Sequence, residues 1–348
     1  MYIAAAGTAL PPHRYDQEAL IDAFKSQWQG VHHNVERLAA IHRNALVGGR
    51  NLALPMEAYL DLDFERANQA YIDVAVPLGA EALEQALSRA GVSPEQVDVL
   101  CFVTVTGLAV PSIDARLMNR LPLRADLKRM PLFGLGCVAG AAGLARVSDA
   151  LKPGQVGALL SVELCSLTLQ RGDFSLENIV ASGLFGDGAA AVVVRADGEA
   201  PRGLPEIVDT RSIFFPDTER VMGWDFGSGG FKVVLSAQVP HIARDSLRPG
   251  VEAFLGAHGL SIDDIERFVC HPGGPKVLEG VADGLELPDG ALDASWASLR
   301  TVGNLSSASV LMVMSQTLDE PPPPGSWGLL MAMGPGFCAE LVLLRWLT

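Results

Sequence analysis

The chain has 348 residues, 49% hydrophobic and 19% charged, which suits two core-sized halves or one large α/β unit. Lys and Arg total 26 against 40 Asp and Glu, and the net charge of −14 excludes a general nucleic-acid binder, which needs a basic face for phosphates. Mean hydropathy is high at +0.26, yet the most apolar stretches, Leu132–Ala145 and Trp327–Leu344, are cut by glycines, Pro335, Glu340 or nearby arginines and fall short of the ~20 apolar residues of a spanning helix.

The N-terminus, MYIAAAGTALPPHR, has no basic segment and runs into two prolines, so it does not read as a signal peptide. Apolar residues at helical spacing predict helices over Asp16–Phe24, Asn68–Ala90, Gly140–Leu151, Pro240–His258 and Ser306–Leu318. A polar joint rich in Gly and Pro, RADGEAPRGL at 195–204, divides the chain into halves 1–200 and 201–348. The run DEPPPPG at 319–325 lacks backbone donors and is expected as a surface excursion. Five cysteines with no CxxC pair point to reduced thiols and a cytoplasmic location. The surplus apolar content implies a large core and a subunit interface.

The halves look alike. Ala86–Gly107 matches Phe254–Gly274: a helix end, a Gly stop at Gly91 or Gly259, a Ser cap at Ser93 or Ser261, an acidic turn and a buried strand. Leu184–Val194 matches Ala332–Leu344, each a glycine turn feeding an apolar run. Two matches in one order indicate two similar α/β halves around a shared core.

Chemistry concentrates at element ends. Cys137 lies among the glycines 134, 136, 140 and 143, just before a helix, where the dipole and free N–H groups favour thiolate. Its bland alternative is a small buried hydrophobe. Cys101, Cys270 and Cys338 sit in strand runs and read as core, while Cys165 ends a strand and reads as a pocket wall. His271 follows a buried strand and precedes a rigid Pro-Gly-Gly turn. Asn304 precedes a helix, where it is either a cap, competing with Ser306 and Ser307, or a functional carboxamide. Thiol, imidazole and carboxamide together make an acyl-transfer set, with donors for an oxyanion or enolate. No metal-ligand spacing, phosphate loop or nucleotide fingerprint competes.

GCVAGA around Cys137, LFGDGAAAVVV, CHPGGPKVL, GNLSSASVL and MGPGF together resemble the type III polyketide synthases, the chalcone synthase-like enzymes, from Ile3 to Trp346. That resemblance implies a thiolase-type fold of two pseudo-symmetric halves in an αβαβα arrangement, a homodimer, and iterative decarboxylative condensation of malonyl-CoA onto an acyl-CoA starter. No cofactor or metal is expected beside the CoA substrates. Cys137 would hold the chain, and His271 and Asn304 would support decarboxylation. Phe185 would gate the cavity; Cys165, Thr168, Gly223, Ser306 and Met333 would line it; Val110 would reach towards the partner subunit. Arg37, Arg43 and Lys276, with Arg50 nearby, are the cations offered for CoA phosphates.

Two positions depart from the family pattern. Its terminal Gly-Phe-Gly-Pro-Gly reads Ala332-Met333-Gly334-Pro335-Gly336, and Val105 stands where many relatives place a hydroxyl beside Glu163. The small side chains at 165 and 223 favour a long acyl starter and an alkylpyrone or alkylresorcinol product, with a malonyl-only small phenolic of the tetrahydroxynaphthalene type as the alternative. A ketoacyl-acyl carrier protein synthase III is the rival enzyme, although that family has His-Gln-Ala-Asn where this chain has His271-Pro272-Gly273-Gly274. The rival from another class is a non-catalytic lipid-binding partner of the same fold.

Overall fold

Runs that are apolar at every position become strands covered on both faces, and the fold is built around them. The computed structural model describes residues 1–28 and 34–347. Its strands are β1 Tyr2–Ala9, β2 His13–Asp16, β3 Gly49–Leu52, β4 Val99–Thr104, β5 Lys128–Phe133, β6 Val156–Leu164 and β7 Asp187–Arg195, then β8 Pro205–Phe214, β9 Met222–Gly227, β10 Gly230–Leu235, β11 Ile265–Cys270, β12 Trp327–Gly334 and β13 Cys338–Trp346. The helices are α1 Gln17–Trp28, α2 Val35–Arg43, α3 Phe64–Ala90, α4 Ile113–Leu117, α5 Ala139–Ala150 and α6 Leu176–Leu184, then α7 Val239–Ser246, α8 Arg248–Gly256, α9 Pro275–Leu285, α10 Asp293–Val302 and α11 Ser307–Asp319.

Nine strands form one sheet in the order β11-β12-β13-β8-β1-β7-β6-β4-β5. Its two arms repeat one pattern. β4 runs parallel to β6, which is antiparallel to β7, which is antiparallel to β1. In the other arm β11, β12, β13 and β8 relate in the same way. The two sequence matches fall on equivalent elements, β4 with β11 and β7 with β13.

Side-chain alternation then produces the layers. On β4, Leu100 and Phe102 join the core with α3, whereas Val99, Cys101 and Val103 join Leu144 of α5 and Leu311 of α11. On β12 and β13, Leu330 and Val342 enter that same central core, while Leu329 and Leu341 pack with Phe254 of α8 and Leu278 of α9. Helices α5 and α11 are therefore enclosed between the two arms, giving the expected αβαβα thiolase-type arrangement. They cross closely: a Cβ on Gly140 would lie 2.3 Å from the Ser307 carbonyl oxygen.

The predicted helices form, with shifted ends. The one expected over Pro240–His258 is two, because Pro249 removes a backbone donor just after Ser246. α3 starts earlier, where Asp63 accepts from the Arg66 N–H at 2.9 Å, and stops at Gly91 with φ 63°. Among the described residues no helix is long and apolar enough to cross a membrane, and no cluster suits a metal ion.

The crossing of α5 and α11 gives a stability test. Gly140→Ala is expected to destabilise the protein by about 1–3 kcal/mol or more through overpacking. Gly256→Ala, where nothing lies within 4 Å of the added methyl, is expected to stabilise by about 0.4–1 kcal/mol. Urea unfolding midpoints of the two variants check both signs.

Candidate active site

Cys137 sits in a single 3-10 turn, Gly136–Val138, that leads into α5. The turn needs its glycine: Gly136 has φ 56°, and a Cβ there would be 2.7 Å from Pro335. Gly334 is equally constrained, since a Cβ would lie 2.6 Å from the Val138 nitrogen. The loop from Met333 to Phe337 thus props the turn. The thiol is 6% exposed and donates to Ser306 Oγ at 3.6 Å.

His271 follows the end of β11, where its N–H donates to Met331 O at 2.9 Å. Both ring nitrogens are buried without a partner in the chain. Asn304 is oriented by its own neighbours. Its Oδ1 accepts from the Ser306 N–H at 2.8 Å, and Nδ2 donates to Gly273 O at 3.3 Å. An amide nitrogen carries two protons, so one remains for the cavity. None of the three cap candidates caps α11: Asn304 takes the N–H of Ser306, ahead of the helix, Ser306 stands before the helix with φ 49° and turns its hydroxyl to the thiol, and the Ser307 hydroxyl is taken by Glu163 and Ser161.

Two cavities meet at the thiol. The outer, about 420 Å³, is bordered by Cys137, His271, Asn304, Met333, Lys276 and Phe337. The inner, about 120 Å³, is bordered by Cys137, Cys165, Thr168, Gly223 and Ser306. Phe185 borders both. Sequence reasoning missed much of the inner wall: Leu20 and Phe24 of α1, and Met222, Trp224 and Leu235 of the β9–β10 hairpin. These residues carry no local signal beyond ordinary amphipathicity.

Burial governs the electrostatics. It pushes the Cys137 thiol up to about 12, against a smaller lowering by the Ser306 hydroxyl. The thiolate expected from the helix terminus is therefore not the resting form. Burial also pushes the His271 imidazole down to about 3. Glu163, wholly buried, has its carboxyl raised by desolvation, which its hydrogen bonds only partly offset. It accepts from the Thr106 hydroxyl at 2.8 Å, the Val105 N–H at 3.0 Å, the Thr104 hydroxyl at 3.3 Å and the Ser307 hydroxyl. The loss of a hydroxyl at Val105 is thus made good by its neighbours.

The proposed phosphate ligands are mostly elsewhere. Arg43 is exposed and engaged by Glu18 through two 2.8 Å bonds. Arg37 is exposed on α2 and does not border the cavity. Arg50 is 3% exposed, out of reach of a solvent-borne phosphate. Lys276 alone of the four borders the outer cavity and is exposed. Val110 lies outside both cavities and is 97% exposed.

Comparison with known proteins matches residues 1–198 to the N-terminal domain, and 206–348 to the C-terminal domain, of chalcone and stilbene synthases. The chain is 53% identical to 1,3,6,8-tetrahydroxynaphthalene synthase of Streptomyces peucetius subsp. caesius, over 99% of this chain and 93% of that one. It is 31% identical to phloroglucinol synthase of Pseudomonas fluorescens, over 97% and 96% respectively. Among solved structures, tetrahydroxynaphthalene synthase of Streptomyces coelicolor A3(2), a bacterial type III polyketide synthase, superposes with a TM-score of 0.94 at 29% identity, covering 100% of both chains.

A neutral thiol and a neutral imidazole on one cavity become an ion pair only by passing a proton between them, and mutual attraction then offsets their burial. His271→Gln is accordingly expected to slow iodoacetamide alkylation of Cys137 at pH 7 by roughly tenfold, an apparent shift of about one pKa unit. The gap should hold from pH 7 to pH 9, both well below the thiol's value near 12, with labelling read by peptide mass spectrometry. Equal rates at pH 7 would show that the imidazole does not take the proton.

Proposed function

We propose that this chain, which belongs to the chalcone and stilbene synthase family of type III polyketide synthases, makes a small phenolic from malonyl-CoA alone. As a member of that family it is an acyltransferase that uses CoA thioesters. The observation that carries the finer reading is the end-to-end identity with the Streptomyces peucetius enzyme. The inner cavity supports it: at about 120 Å³ it is below the ~300–1,000 Å³ usual for sizeable ligands. That volume favours a compact product over the long-chain alkylpyrone expected from the small residues at 165 and 223.

The carbon arithmetic is consistent. Five malonyl units lose five CO2 and five CoA thiols, leaving ten carbons oxygenated at alternate positions. Loss of one water then gives tetrahydroxynaphthalene. In this reading Cys137 attacks a malonyl thioester, its proton passes to His271, and the CoA thiolate leaves with it as a thiol. A second malonyl-CoA loses CO2 in the outer cavity. The electron pair of the broken bond becomes an enolate, whose oxygen accepts from His271 and from the free proton of Asn304 Nδ2. The enolate carbon then attacks the Cys137 thioester. Lys276 is the cation placed to meet a CoA phosphate.

We infer a homodimer, the state the family resemblance implies, in which a second copy would cover the exposed Leu108 and Val110. The free state of all five cysteines suits a reducing compartment.

Malonyl-CoA alone is expected to yield a product of tetrahydroxynaphthalene mass, abolished in Cys137→Ala. Product only with a long acyl-CoA would replace this reading by the alkylpyrone one, and turnover only on a malonylated carrier protein would replace the family activity. Asn304→Ala is expected to cut malonyl-CoA decarboxylation by roughly a hundredfold, the cost of one lost oxyanion donor, while Cys137 still accepts an acyl group. Unchanged release of CO2 would remove Asn304 from the chemistry.

A further inference from the structure

Arg50 is the one buried Lys or Arg among the described residues. Neither the reaction outlined above nor any solvent contact uses it. It stands on β3, behind the C-terminal end of α6, where helix carbonyls have no partner within the helix. Its Nη1 donates to Ser182 O and to Phe185 O, both at 2.7 Å.

Its aliphatic stem touches a second segment as well. A Cβ on Gly303 would lie 3.2 Å from the Cγ and Cδ of Arg50, and one on Gly186 would lie 3.5 Å from its Cβ. Gly303 precedes Asn304, and Gly186 follows Phe185. The two segments are tied to each other at that point: Asn304 N–H donates to Leu184 O at 3.0 Å, and Gly186 N–H donates to Asn304 O at 2.9 Å. One side chain therefore braces the joint that separates the aromatic ring from the carboxamide.

Burial lowers the Arg50 guanidinium to about 10, and it is still charged at neutral pH. Asp187, wholly buried, is the nearby counter-charge, itself held by the N–H groups of Ala53 and Ser166 and by the Ser166 hydroxyl. His42 beside it is pushed down to about 3 by burial and by Arg50, so it adds no competing charge at neutral pH. Gln17 takes the next free carbonyl, Gly183 O, at 2.8 Å. The guanidinium hydrogen-bonds only to backbone of the segment that carries Phe185, and its side chain also borders the inner cavity.

We propose that Arg50 is a positioning residue that fixes Phe185 against Asn304 and thereby sets the aperture between the outer and inner cavities. This rests on the reading that chains made in the outer cavity pass Phe185 to the inner one. A loosened aperture lets chains leave early and leaves decarboxylation uncoupled from condensation. Both bonds leave one nitrogen, Nη1, and a Lys ammonium, carried on a side chain one bond shorter, reaches the two carbonyls only in part.

The test is the partition of products in the full-length enzyme: CO2 released per carbon–carbon bond formed, and the share of short released chains. Both are ratios and do not change with the amount of folded protein. Arg50→Met is expected to raise each roughly tenfold, within the range that a displaced site element costs, and Arg50→Lys about threefold. Ratios equal to wild type in Arg50→Lys overturn the proposal even if Arg50→Met fails to fold. If wild type makes nothing from malonyl-CoA alone, the small-phenolic reading falls by itself, and the same ratios are read with whichever acyl-CoA starter supports turnover.

Discussion

Helices α5 and α11 meet with no side chain between Gly140 and the Ser307 carbonyl, and the remainder of the site follows from that contact. Each helix begins at its crossing end. The turn before α5 carries Cys137; the turn before α11 carries Asn304 and Ser306. Backbone contact between the helices thus brings the thiol within 3.6 Å of the Ser306 hydroxyl without any long side chain having to reach. Enclosure between two apolar sheet arms makes the geometry stiff, because a close-packed core of this kind resists displacement by even a methylene.

The same enclosure sets the chemistry. An imidazole, a thiol and a carboxylate, all buried, are each driven towards the neutral form. Their charged forms arise only in pairs or against dense hydrogen bonding. Glu163 shows the second solution, with three hydroxyls and one N–H around one carboxyl group. Cys137 and His271 have no such shell in the protein itself, which leaves their polar atoms available to whatever enters the cavity.

Much of this was legible from the chain because the relevant residues stand where patterns break. Cys137 and His271 follow apolar runs, Asn304 precedes one, and all three adjoin glycines or prolines, so their placement at element ends could be read locally. The layers were legible for the same reason: the central runs, such as β4 and β12, are apolar at nearly every position and buried on both faces. The resting state of the thiol was not legible. A helix N-terminus is a local signal, but the loop from Met333 to Phe337 that closes over it comes from far along the chain. Arg50 was opaque for a related reason. In GGRNL a cation after two glycines reads as surface, and nothing nearby announces that β3, paired with the distant β2, lies behind α6. Pro249 could have been weighed more heavily; its missing donor was sufficient ground to divide the helix over 240–258.

The repeated arms have a consequence for how such a pocket comes to be asymmetric. Superposing the equivalent strands β4 and β11 sets Val105 opposite His271, each the first residue past its strand. Likewise the turn before α5 is the counterpart of the turn before α11. One copy of the frame therefore carries a sulfur at its helix entrance and an inert methyl pair at its strand exit; the other carries an amide and an imidazole at the same two places. The sulfur and the imidazole come from different halves, so the candidate site exists only where both are present.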